Sequence, residues 1–173
     1  MNRTIALIVG ILVPFVTASW AAASSTVTLE KTHLCCKSCV KDATAAVATV
    51  PGATAECDQK AKSITITAPD DATAQKAVDA LVAAGFYGEA TGATVTDDSG
   101  APTGNVKSLT ITSIHNCCGK CAKAINKVIK SVPGATGEIE AKAQTVTITG
   151  DFDAQALVQA FNKAGFSIKV SAN

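Results

Sequence analysis

Two short stretches of the chain carry most of its reactive side chains. His33-Leu34-Cys35-Cys36-Lys37-Ser38-Cys39 and His115-Asn116-Cys117-Cys118-Gly119-Lys120-Cys121 share the pattern His-x-Cys-Cys-x-x-Cys, and the copies lie 82 positions apart. They hold six of the seven cysteines and both histidines. Thiols three residues apart at the start of a helix face the same side. The partial positive charge of a helix N-terminus favours thiolate over thiol. Two convergent thiolates on an exposed loop suit a soft metal ion: Cu(I) or Zn(II) foremost, with Cd(II) and Hg(II) compatible. The alternatives are a structural disulfide, favoured by an oxidising compartment, and thiol–disulfide oxidoreductase chemistry at the Cys-x-x-Cys pairs. Covalent haem attachment needs a histidine directly after the second cysteine, where the chain has Val40 and Ala122. No carboxylate or serine constellation accompanies the histidines, so the chain does not read as a hydrolytic enzyme.

The elements that must position these loops also occur twice. VPGATAECDQKAKSITIT from Val50 aligns without a gap with VPGATGEIEAKAQTVTIT from Val132. After a two-residue contraction, QKAVDALVAAGF from Gln75 matches QALVQAFNKAGF from Gln155. The copies span 26–94 and 106–171, joined at 95–105 by a stretch of turn formers that reads as a flexible linker. TVTLE and SLTIT alternate as half-buried strands. Val40, Ala43, Val47 and Val50, and Ala122, Ile125, Ile129 and Val132, recur at helical spacing before Pro51-Gly52 and Pro133-Gly134. Two strands, a second amphipathic helix ending at Gly85 or Gly165, and a short last strand complete each copy. The order is β-α-β-β-α-β. It predicts an α+β protein of two tandem ferredoxin-like units, each with two helices on one face of an antiparallel four-stranded sheet.

Residues 1–23 read as a signal peptide: Arg3, an apolar run from Ile5 to Val16, then small residues around Ala21 and Ala23. The run is interrupted by Pro14 and is short for a membrane span. The mature protein is therefore expected to be exported, periplasmic or extracellular, with no stable membrane anchor. Without Arg3 the balance is 14 basic to 14 acidic side chains, and aromatic residues make up 4%. Neither a phosphate-binding patch nor a base-stacking platform is present, which argues against nucleic acid as a partner.

On the Cys-x-x-Cys loops, the Pro-Gly after the first helix and the βαββαβ order, the chain resembles the heavy-metal-associated domain. That family occurs in copper chaperones, periplasmic mercury-binding proteins and the N-terminal domains of metal-transporting P-type ATPases. The resemblance covers nearly all of both copies. It implies that Cys36 with Cys39, and Cys118 with Cys121, are the primary metal ligands, with one soft ion per domain. It also implies that Phe86 and Phe166 are the aromatics that family members often carry beside the site. Partners implied are metal ions and a membrane metal transporter or other metal-carrying protein. The family's usual Gly-Met before the motif is replaced by His33-Leu34 and His115-Asn116, and the change to Asn116 removes an apolar side chain that the family buries under the loop. A cysteine before the first ligand, Cys35 or Cys117, stands where zinc-specific relatives often place an aspartate that serves as a third ligand.

Read from the residues, Cys35 and Cys117 stay open between ligation and partner contact, because adjacent residues on an extended chain point apart. His33 and His115 stay open between ligation and an orienting role. Cys57 aligns with Ile139 and reads as core filler. Phe86 and Phe166 read as core residues closing over the loops. Lys120, Lys123, Lys127 and Lys130 form a basic face, read as solvated by default and as a docking surface for an acidic partner in the sharper alternative. The function expected is an exported, non-enzymatic metal-binding protein that scavenges, buffers or hands over its ion by thiolate exchange.

Overall fold

The computed structural model describes residues 24–96 and 98–172. Residues 1–23, read above as a signal peptide, lie outside them. The N-terminal half runs β1 (Ser25–Glu30), α1 (Lys37–Ala48), β2 (Thr54–Asp58), β3 (Ser63–Ala68), α2 (Asp71–Ala83) and β4 (Glu89–Thr91). Its strands form an antiparallel sheet in the order β2-β3-β1-β4. Alternation puts Val27, Leu29, Ile64, Ile66 and Ala68 on the buried face, against Ala74, Ala77, Val78 and Leu81 of α2. The buried stripe of α1 is Cys39, Ala43 and Val47. This corrects the expected register: Val50 lies at the edge of the core, Val40 is only half-buried, and Cys39 takes the inward position.

The C-terminal half runs β5 (Asn105–Ile114), α3 (Gly119–Ser131), β6 (Val146–Asp153), α4 (Ala154–Lys163) and β7 (Ile168–Ala172). Here the expected four-stranded sheet is corrected to three strands, in the order β6-β5-β7. The segment that should supply the missing edge strand keeps only a bridge, in which Thr136 and Thr149 exchange N–H···O bonds of 2.8 Å. Two local causes divert it. Gly150 adopts φ +120°, outside the strand region; a Cβ on it would collide with the Gly134 carbonyl oxygen, and one on Gly134 with the carbonyl oxygen of Asp151. Farther along, Asn126 takes over the backbone of Ile139, donating to its carbonyl at 3.1 Å and accepting its N–H at 2.9 Å. The peptide groups are satisfied by an amide side chain instead of a ladder.

The two halves share one continuous apolar core. They meet through the turns that end α2 and α4. Phe86 pairs with Phe166 in an antiparallel bridge, Ser167 N–H donates to Gly85 O at 3.0 Å and Tyr87 N–H to Gly165 O at 3.1 Å. Within the stretch 95–105, Ser99 O accepts from Val170 N–H at 2.8 Å, Ala101 O from Gln155 Nε2 at 2.8 Å and Gly104 O from Ala154 N–H at 3.1 Å. Asp98 forms an ion pair with Lys169. Among the described residues, no helix is long and apolar enough to cross a membrane.

Candidate metal centre

Each cysteine loop is positioned by the strand before it and the helix after it. Cys36 and Cys118 are the N-cap residues of α1 and α3, with nearly identical backbones (φ −159°, ψ 170° and φ −160°, ψ 172°). One turn into each helix, Cys39 and Cys121 point into the core and are fully buried, so the site is more enclosed than an exposed loop. Cys35, Cys36, Cys117 and Cys118 are half-buried.

The loops face each other across the junction, and their sulfurs interleave. Within the first loop, Cys39 Sγ lies 3.7 Å from Cys35 and 3.6 Å from Cys36. Within the second, Cys121 lies 3.7 Å from Cys117 and 4.0 Å from Cys118. Across the junction, Cys35 approaches Cys121 at 3.4 Å and Cys118 at 3.9 Å, and Cys36 approaches Cys117 at 3.6 Å and Cys118 at 3.7 Å. Cys39 lies 3.6 Å from Cys117 and 3.8 Å from Cys121. Six sulfurs therefore form one group to which each half contributes three. Cys35 and Cys117, left open by sequence, are members of it. Cys57 stands apart, half-buried at the core edge, with its sulfur 3.9 Å from Thr44 Oγ1.

The histidines cross the junction too. His33 stacks on Phe166 with ring centroids 4.1 Å apart, and His115 packs on Phe86 at 4.3 Å. Each histidine thus rests on the phenylalanine of the other half, and both phenylalanines are fully buried. A His115 ring nitrogen lies within 4.8 Å of the sulfurs of Cys39, Cys117 and Cys121, and one of His33 stands in the same relation to Cys35 and Cys121. Nε2 of both rings is buried without a hydrogen-bond partner. Buried imidazole nitrogens beside thiols fit a soft-metal site.

Six sulfurs this close cannot all be thiolates unless cations separate them. Contact with Cys121, 3.8 Å away, and with the neighbouring His115 ring holds Cys39 down at about 2 against the effect of its burial. The same contact with Cys39, with burial, pushes Cys121 far up. Backbone N–H groups of Cys121 and Lys120 at the start of α3 hold Cys118 at about 6. Burial pushes Cys35 up to about 12 and also raises Cys117. Burial lowers His33, so its ring is neutral and able to ligate at neutral pH.

Residues 112–167 match the heavy-metal-associated domain. The matched stretch contains His115, Cys117, Cys118, Cys121 and Phe166, and so half of the sulfur group. A solved structure of the water-soluble region of the P-type ATPase CopA from Bacillus subtilis aligns at 15% identity, over 87% of this chain and 93% of that one, with a TM-score of 0.29. No curated protein matches the chain.

Asn116 departs from the heavy-metal-associated pattern, and its role was not legible in sequence. It is buried under the loop and donates 2.8 Å hydrogen bonds to the carbonyls of Glu140 and Ala143. Leu34, its counterpart in the first half, is buried as an apolar side chain. The pairing of the two loops was also missed, although the sequence holds one trace of it: Gly-Phe follows both second helices, at 85–86 and 165–166.

Proposed function

We propose that this protein is an exported carrier or scavenger of soft metal ions, built from two heavy-metal-associated units at 26–94 and 106–171. In this reading the units close their cysteine loops around one shared site. The observation that carries it is the single group of six sulfurs from Cys35, Cys36, Cys39, Cys117, Cys118 and Cys121. Thiolates select Cu(I) and other soft ions, and binding metal relieves the repulsion among them. His33 and His115 add imidazole nitrogens at the rim, and Phe86 and Phe166 set their orientation. Export rests on the sequence of residues 1–23. Release proceeds by thiolate exchange with an incoming acceptor, for which a membrane metal transporter or another metal-carrying protein is suited. A cleft lined by Asp42, Ala84, His115, Asn116 and Cys117 opens beside the group and offers a path for exchange.

Metal analysis of untagged protein, purified under reducing conditions, tests the reading. Retained copper or zinc is expected. Metal-free protein with a reversibly oxidised cysteine pair would favour the thiol–disulfide oxidoreductase instead.

A further inference from the structure

The arrangement of the six sulfurs says more than that they are close. Set Cys35 opposite Cys117, Cys36 opposite Cys121 and Cys39 opposite Cys118. Every short sulfur–sulfur distance given above, from 3.4 to 4.0 Å, is then an edge of an octahedron. The edge between Cys35 and Cys36 is within 4.8 Å, and that between Cys117 and Cys118 is its counterpart in the other half.

An octahedron of sulfur offers two kinds of position. A single ion at its centre would have six ligands at an edge divided by √2, about 2.6 Å for an edge of 3.7 Å, beyond the roughly 2.3 Å of a zinc–thiolate bond. An ion at the middle of a triangular face has three ligands at an edge divided by √3, about 2.1 Å for the same edge and close to that bond length. Four ions on alternate faces use every sulfur twice, as a bridge between two metals. They sit two-thirds of an edge apart, about 2.5 Å, where repulsion between doubly charged ions is four times that between singly charged ones. Zinc also wants four ligands per ion, and a face supplies three. Cu(I) is soft and singly charged, and accepts three thiolates. Four Cu(I) ions with six thiolates carry a net charge of −2, which the N-termini of α1 and α3 favour.

Building on the metal-binding reading above, we propose that the six cysteines form one tetranuclear Cu(I)–thiolate cluster bridging the two halves, in place of one ion per half. Loading four Cu(I) displaces a proton from each thiol still protonated and involves no change of oxidation state. Because every ion depends on sulfurs from both loops, the four-copper state forms cooperatively.

The test is anaerobic titration of the reduced protein with Cu(I), followed by native mass spectrometry and copper X-ray absorption. The expected result is metal-free and four-copper protein dominating below saturation, three sulfurs per copper, and a short copper–copper vector. Cys118→Ser, which removes a half-exposed vertex, should abolish the four-copper form, whereas Cys57→Ser should leave it intact. One or two coppers per chain, each with two sulfurs and no copper–copper vector, would overturn the cluster and leave the metal-binding reading standing. Failure to retain Cu(I) against a competing chelator would overturn both.

Discussion

A thiol surrounded by thiols titrates according to which neighbour donates to it and which helix end it faces. Cys118 faces the N–H groups that open α3 and is held at about 6, against an ordinary value of 9.0. The shift is downward, so Cys118 is thiolate above that pH and thiol below it. In metal-free protein, alkylation of Cys118 followed by peptide mass spectrometry should rise through about pH 6 and flatten by about pH 8. Cys35, pushed up to about 12, should stay slow throughout. A Cys118 rate still climbing steeply above about pH 8 would contradict the assignment. The cysteines and histidines gathered in this candidate site are those that spacing had singled out. What spacing could not settle was whether Cys35 and Cys117 join Cys36 and Cys118. Neighbours on an extended strand diverge, and here the loops bring Cys35 beside Cys121 of the other half.

Strands and helices were legible wherever apolar period and turn chemistry agreed. The period placed β1, β3, α2, α3 and α4, and glycine marked the ends of α2 and α4. It failed where one side chain overrode it. Asn126 replaces an edge-strand ladder with a two-point bond to Ile139, and no periodicity encodes such a bond. Asn126→Ala leaves both backbone groups of a buried residue unpaired and should lower stability by about 1–3 kcal/mol, read as a shift in denaturant midpoint. An unchanged midpoint would show that water replaces the amide. Asp153 caps α4 by accepting the Ala156 N–H at 2.7 Å. Asp153→Ala should cost about 1 kcal/mol, and a stability gain would show that the cap is strained.

At the scale of the whole molecule, the decisive feature is the docking of the two halves, and sequence was nearly silent on it. A repeat shows that two units exist; which faces meet depends on a few close backbone approaches. Gly165 makes one of them at φ +85°: a Cβ there would collide with the His33 amide nitrogen and lie 2.6 Å from the Lys31 carbonyl oxygen. Gly104 has a similar φ of +84° but nothing within 4 Å of an added Cβ. Alanine at either position carries the same backbone strain, about 1–2 kcal/mol. Only Gly165→Ala should also part the loops, lowering metal retention while Gly104→Ala preserves it. Equal retention by the two variants would mean that the junction tolerates separation.

The central claim is that both halves hold the same metal. Its most direct test is the metal content of Cys35→Ser/Cys36→Ser protein after gel filtration against a competing chelator, with helix content verified by circular dichroism. A shared site predicts that the loss of two half-exposed sulfurs from the first loop strips metal from the whole chain, far below half of the unmodified level. A variant that keeps a full half of the metal, bound by Cys118 and Cys121 alone, would contradict it.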